Sequence, residues 1–304
     1  MDIKDKATQK SKPRALFCGV ATALITPFCE EGIDYPALTR LIEFQIKNGA
    51  QAIVLCGTTG EAPTVTESER ERMICASSEA INGRVPLIIG TGTISTEVSL
   101  RYTAFARTHG ADAVLVVTPY YNKGTRAGVV AHYRKIAEIM PTIVYNVPSR
   151  TGVDISLSQL QALADEENII GIKEASPSIE KCAQIKRDFG DRYALYSGND
   201  TLTLPLLALG GDGVVSVASN VIPAEMQRIC RLFFEGRARE SRELHERYFR
   251  FMQLLFTETN PTPVKYASSL LGLCENRLRL PLTVAEEGTR RLLEEEMRSL
   301  GIIA

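Results

Sequence analysis

Residues 142–174, TIVYNVPSRTGVDISLSQLQALADEENIIGIKE, open on an apolar run, pass through a turn and a helical stretch, and close on a second apolar run. Both runs, Thr142–Tyr145 and Ile169–Ile172, are rich in Ile and Val and do not alternate with polar residues. Runs of that kind read as strands covered on both faces, as in a parallel sheet. Between them Asp154 or Ser156 offers an N-cap for a helix. Strand, helix and strand in this order form a crossover unit, which places the two strands side by side and parallel.

The same unit recurs outward in both directions. The apolar runs Gly19–Ile25, Ala52–Cys56, Pro86–Ile89, Ala113–Val117, Tyr193–Tyr196 and Gly213–Val217 bring the total to eight, spaced about 20–35 residues apart. Helical spacing follows most of them, with Leu38, Leu41, Ile42 and Phe44–Ile46 on one face and Met73, Ile74 and Ser77–Ile81 on another. Thr66-x-x-Glu69 reads as a capping box, and Ser176 or Ser178 as a later N-cap. Eight such units predict an α/β fold, a (β/α)₈ TIM barrel, over residues 14–235. An open doubly wound sheet would carry a phosphate-binding glycine fingerprint after its first strand, which this sequence lacks. Residues 236–304 read as a C-terminal helical subdomain interrupted by Asn260-Pro-Thr-Pro263. The polar residues 1–13 read as a flexible N-terminal extension.

Bulk properties exclude several classes of function. The 304 residues are 44% hydrophobic and 23% charged, with a net charge of −1. That balance supplies no field for nucleic acid or an acidic membrane surface. No apolar stretch approaches the roughly 18 residues that span a bilayer. Seven cysteines without a C-x-x-C pair, and no apolar signal core, point to reduced thiols in a cytoplasmic protein. The three histidines, His109, His132 and His245, stand in no ligand pattern with them, so no zinc site is expected.

A barrel of this kind works at the carboxyl ends of its strands. Those ends carry Gly57-Thr58-Thr59-Gly60-Glu61, Thr118-Pro-Tyr120-Tyr121-Asn122, Tyr145-Asn146-Val147-Pro148-Ser149-Arg150-Thr151-Gly152, Lys173-Glu174 and Ser197-Gly198-Asn199-Asp200. Lys173 follows Ile-Ile-Gly-Ile, so its stem should enter the apolar interior. Burial there would disfavour the ammonium and leave an amine able to attack a carbonyl. A lysine in such a place can equally snorkel to the rim and pair with Glu174. Tyr145 ends the neighbouring strand, where a phenol can pass protons. Thr58 and Thr59 can cap a turn or face a ligand. Arg150 offers a fork of donors to a carboxylate, or is a solvated loop charge.

Taken together, the motifs GTTGE, TPYYN, YNVPSRTG, GIKEAS and SGND resemble, in order and spacing, those of the dihydrodipicolinate synthase and N-acetylneuraminate lyase family. The likeness runs from about Gly19 to Asn260-Pro-Thr-Pro-Val-Lys265. It implies a lyase in which Lys173 forms an imine with pyruvate, the imine being the electron sink, so that no metal or organic cofactor is required. Tyr145, Thr58 and Tyr121 would form the proton relay, Tyr121 being inserted from a neighbouring subunit of a homo-oligomer, a tetramer built as a dimer of dimers. Thr59 would hold the pyruvate carboxylate, Arg150 the carboxylate of the second substrate, and the backbone of Gly198 and Val215 would line the site. Thr58-Thr59 with Arg150 resembles the synthases of the family, which implies L-aspartate 4-semialdehyde as second substrate and a place in lysine and diaminopimelate biosynthesis. Sialic acid lyases typically have Ser at the first of those Thr positions and lack this Arg.

Two other readings compete: a related pyruvate or 2-keto-acid aldolase acting on a sugar-derived acid, and a catalytically silent barrel that binds a keto acid. Arg150 and Thr58 weigh against the first, and Lys173, Tyr145 and Thr58 together against the second. One departure concerns regulation. Lysine-inhibited members often place His and Asn residues where this chain has Glu67, Arg70 and Ile94, so weak or absent inhibition by lysine is expected.

Overall fold

The computed structural model describes residues 15–304; the expected extension at residues 1–13 lies outside the described residues. Eight strands close into a parallel barrel: β1 (Gly19–Ala23), β2 (Ala52–Leu55), β3 (Leu87–Gly90), β4 (Ala113–Val117), β5 (Thr142–Asn146), β6 (Ile169–Glu174), β7 (Ala194–Ser197) and β8 (Gly213–Ser216). Closure is between β1 and β8, with Gly19 beside Gly213 and Thr22 beside Ser216. The (β/α)₈ expectation therefore holds, with strand ends displaced from the apolar runs by a residue or two.

The lack of alternation in the strands has a direct cause. Ala21, Ala23, Val54, Ile88, Leu115, Ile143 and Val215 point into the barrel and form one apolar cluster. Val20, Leu24, Ile53, Leu55, Leu87, Ile89, Val114 and Val116 point outward into a second cluster shared with the helices. Each strand is thus apolar on both faces. Inside, the Tyr196 ring stacks on Phe17 with centroids 4.1 Å apart, and its hydroxyl donates to the Phe17 carbonyl at 3.1 Å.

The barrel helices are α1 (Tyr35–Lys47), α2 (Glu67–Ile81), α3 (Thr96–Thr108), α4 (Arg126–Ala137), α5 (Pro148–Thr151), α6 (Leu157–Ala162), α7 (Ile179–Phe189), α8 (Thr203–Ala208) and α9 (Pro223–Phe234). Thr66 and Glu69 form the expected capping box of α2. Of the alternative caps, Ser156 opens α6 in a second capping box with Gln159, and Ser178 opens α7. Asp154 is taken by other work: it accepts from Asn146 Nδ2 at 2.8 Å and pairs with Lys181. After α9 the chain continues as α10 (Ala238–Leu254), α11 (Thr262–Leu270) and α12 (Glu287–Ser299). Pro261 and Pro263 lie at the start of α11, where a missing N–H costs nothing.

Candidate active site

The loop after β2 is built to bend sharply. Cys56 and Glu61 both adopt left-handed backbone, at φ 53° and 52°. A Cβ on Gly90 would lie 2.1 Å from the Cys56 carbonyl oxygen, so only glycine lets β3 run this close to the bend. Between these two residues Thr26 Oγ1 donates to the Gly60 carbonyl at 2.6 Å, and the Glu61 amide donates to Thr58 O at 3.0 Å. The far end of the loop is held by an ion pair buried on both sides, Glu61 with Lys265 of α11. Glu61 also accepts from the Arg279 amide at 3.2 Å. Burial draws the Lys265 pKa down and the Glu61 carboxylate opposes it.

From this frame Asn260 reaches back to the barrel. Its Nδ2 donates to Thr59 Oγ1 at 3.0 Å, and its backbone carbonyl accepts from Arg150 Nη2 at 3.2 Å. Arg150 lies in the four-residue helix α5, where an irregular loop was expected; the fixed φ of Pro148 starts that turn and Gly152, left-handed, ends it.

Lys173 is an inward residue of β6, 6% exposed, level with Tyr145 on one side and Tyr196 on the other. Its Nζ lies 4.2 Å from the centroid of the Tyr145 ring. Pairing with Glu174, the alternative open in the sequence, does not occur. Successive strand residues face opposite sides, and the Glu174 carboxylate is engaged by Asn146 Nδ2 at 3.0 and 2.9 Å, the Ser176 amide at 2.7 Å and Lys181 at 3.7 Å. Nearby, Asp200 is buried with Oδ2 accepting from the Val217 and Ala218 amides, both at 3.0 Å. Burial raises its pKa, while hydrogen bonds and the charge of Lys173 act the other way.

A cavity of about 400 Å³ opens at this end of the barrel, lined by Thr58, Tyr145, Arg150, Tyr120, Val147 and Leu115 among others. That is in the size range of small-molecule sites. Of the expected residues Thr58, Tyr145 and Arg150 line it; Lys173 and Thr59 do not, and Lys173 adjoins it through the Tyr145 ring. Val215 lies in the same interior cluster as Tyr145. Gly198 packs so closely that a Cβ would stand 2.4 Å from Ala175 Cβ, and its amide donates to Glu174 O at 2.7 Å. Tyr121 stands apart. It is 88% exposed with φ 62°, and it does not line the cavity, whereas Tyr120 does.

The cavity continues past Ala62, Pro63, Gly92 and Thr93 to Arg70 and Tyr102. Arg70 is buried, donates to the Gly90 carbonyl at 2.7 Å and lies 4.5 Å over the Tyr102 ring. Glu67 is held on the surface by Arg101 at 2.7 and 3.0 Å, and Ile94 is 47% exposed.

The pattern that defines the Dihydrodipicolinate synthetase family matches residues 16–300. The chain belongs to that family. A relative named 4-hydroxy-tetrahydrodipicolinate synthase, from Alkaliphilus oremlandii, is 47% identical over 290 residues, covering 95% of this chain and all of the relative. The crystal structure of dihydrodipicolinate synthase from Thermotoga maritima superposes with a TM-score of 0.92 at 44% identity, covering 95% of this chain and 100% of that one. That of the synthase from Cyanidioschyzon merolae with lysine bound also gives 0.92, at 38% identity, over 95% and 100% of the two chains.

Sequence reasoning missed Asn260, Lys265 and Asp200. Asn260 and Lys265 stand in a segment read as a break between helices and as the end of the family likeness, with no role for either side chain, and their partners Thr59 and Glu61 are about 200 residues away. Asp200 was part of a quoted motif but carried no role. An acidic residue directly after Ser-Gly-Asn at a strand end was the available signal.

Proposed function

We propose that the protein is a 4-hydroxy-tetrahydrodipicolinate synthase, a Schiff-base-forming lyase that condenses pyruvate with L-aspartate 4-semialdehyde in lysine and diaminopimelate biosynthesis in the cytoplasm. One observation carries most of the weight. Lys173 is a buried lysine whose amine is not paired with the adjacent carboxylate and lies over Tyr145, beside a cavity that also presents Thr58 and Arg150. Attack on a ketone uses the lone pair of a neutral amine, so the proton of the Lys173 ammonium must leave before the first bond forms.

In this reading Lys173 Nζ adds to the pyruvate carbonyl, and loss of water leaves the imine. Tyr145, Thr58 and Tyr121 of a neighbouring copy carry the protons. A methyl proton is then lost, giving an enamine whose carbon bonds to the aldehyde carbon of the semialdehyde. The amino group of that substrate displaces Lys173, which closes the ring and frees the enzyme. Thr59 binds the pyruvate carboxylate, Arg150 binds that of the semialdehyde, and the backbone at Gly198 and Val215 borders the imine. The imine itself accepts the electron pair, so these steps draw on no metal or organic cofactor. The test has two parts: borohydride with pyruvate should reduce an adduct onto Lys173, and product should form from aspartate semialdehyde. Turnover of a sugar-derived keto acid in its place would move the protein to the aldolase reading.

The exposure of Tyr121 motivates the assembly. A phenol standing 88% exposed on a strained residue supports a contact completed by a second copy. Sedimentation velocity is expected to give a homotetramer, a dimer of tight dimers, and Tyr121→Phe is expected to slow turnover by roughly 10²-fold. A fully active monomer would remove Tyr121 from the relay.

Lysine is expected to inhibit weakly or not at all at millimolar concentration. Its ammonium groups need acceptors, all desolvated together with it. This chain instead presents a buried guanidinium at Arg70, ties Glu67 to Arg101 and places an apolar side chain at Ile94. Saturable inhibition well below millimolar lysine would overturn this.

A further inference from the structure

We propose that Asn260 is a positioning residue for pyruvate, acting through Thr59: its amide fixes which way the Thr59 hydroxyl points and so keeps that proton available to the substrate carboxylate. The inference rests on the functional reading above, in which Thr59 binds that carboxylate.

A hydroxyl has one proton to donate and two lone pairs to accept with. Asn260 Nδ2 donates to Thr59 Oγ1 at 3.0 Å, which occupies a lone pair and turns the O–H away from Asn260. Among the described residues the Thr59 hydroxyl has no acceptor of its own, and Thr59 is only 3% exposed, so the proton is not given to bulk water either. Thr59 neighbours Thr58, which lines the cavity. A carboxylate arriving there is the acceptor the hydroxyl lacks, and a hydrogen bond to a charged acceptor is stronger than one between neutral groups.

The other end of the Asn260 side chain bears on the same point. Oδ1 is buried and has no partner among the described residues, so the contact with Thr59 is what this amide does with its side chain. Its backbone is fixed independently, through the carbonyl that accepts from Arg150. An aspartate in its place would keep the shape and lose no other bond. It would reverse the polarity: the carboxylate would accept the Thr59 proton and set a negative charge close to the pyruvate carboxylate.

Steady-state kinetics of the full-length wild type, N260D, N260S, T59V and the N260S/T59V double variant test this, with melting curves to confirm folding. N260D is expected to raise the KM for pyruvate about 10- to 100-fold, and N260S about 3- to 10-fold. The KM for aspartate semialdehyde should stay within about twofold, because the Asn260 carbonyl that meets Arg150 is unchanged. In the T59V background N260S, which adds no charge, should add much less than it does alone, since the hydroxyl it acts through is gone. An unchanged pyruvate KM in both single variants, equal rises for both substrates, or full additivity with T59V would each overturn the assignment. Wild-type protein that traps no pyruvate under borohydride would instead overturn the functional reading, and this inference with it.

Discussion

Lys173→Ala should abolish covalent capture of pyruvate and lower turnover by on the order of 10⁴-fold or more, because in the proposed mechanism the substitution removes the attacking atom and not a helper. The structure separates this effect from unfolding. The Lys173 stem is buried, but its amine makes no ion pair with Glu174, whose carboxylate already has Asn146, Ser176 and Lys181. The variant therefore breaks no ion pair; the buried Asp200 loses only the favourable charge of Lys173, and the side-chain void costs about 1–3 kcal/mol. That is survivable against a typical domain stability of about 5–15 kcal/mol. Mass measurement after borohydride and pyruvate should show no adduct in a protein whose melting transition persists. Lys173→Arg should fail in the same way, since a guanidinium remains protonated and cannot attack. Pyruvate still attached to either variant would mean that another amine is the nucleophile.

The barrel was legible because its cause is local. Each strand needs apolar residues on both faces, and a run such as Ala113–Val117 states that without reference to anything distant. Strand ends were less legible: β1 stops at Ala23 although the run continues to Ile25, because the Ile25 amide is drawn to Asn220 Oδ1 at 3.0 Å. A hydrogen bond across 195 residues leaves no trace in the run itself. The antiparallel pairing of Phe28–Cys29 with Gly32–Ile33 escaped for the opposite reason, two-residue strands being too short to show a period.

The site divides along the same line. Thr58, Tyr145 and Arg150 share one cavity, and Lys173 lies against Tyr145, because strand ends in a barrel converge. What holds them in place was not found. Glu61 with Lys265, Asn260 with Thr59, and Arg279 with Glu69 all join the loop after β2 or the first turn of α2 to the segment 260–279 that follows the barrel. Complementary charge at such separations is visible only once the chain is folded. The choice between Asp154 and Ser156 as cap turned on the same kind of fact, since Asp154 is claimed by Asn146 and Lys181.

Tyr145→Phe should slow turnover by roughly 10²–10⁴-fold, the range for losing a group that gives and takes a proton at the reacting centre. The ring would stay where it is: it belongs to the apolar cluster inside the barrel and is only 7% exposed. Its face lies 4.2 Å from Lys173 Nζ, and that contact does not need the oxygen. The hydroxyl has no hydrogen-bond partner among the described residues, while Tyr145 lines the cavity, so its proton is available to a bound substrate and its removal orphans nothing. Stability should consequently change by less than about 1 kcal/mol. The decisive readout is the division between steps. Collapse of the carbinolamine needs a proton delivered to the departing oxygen, so imine formation followed by rapid quench should slow along with kcat, while the KM for pyruvate moves little. Full turnover in Tyr145→Phe would reduce Tyr145 to a packing residue, and the proton would then have to come from Thr58 or Tyr121.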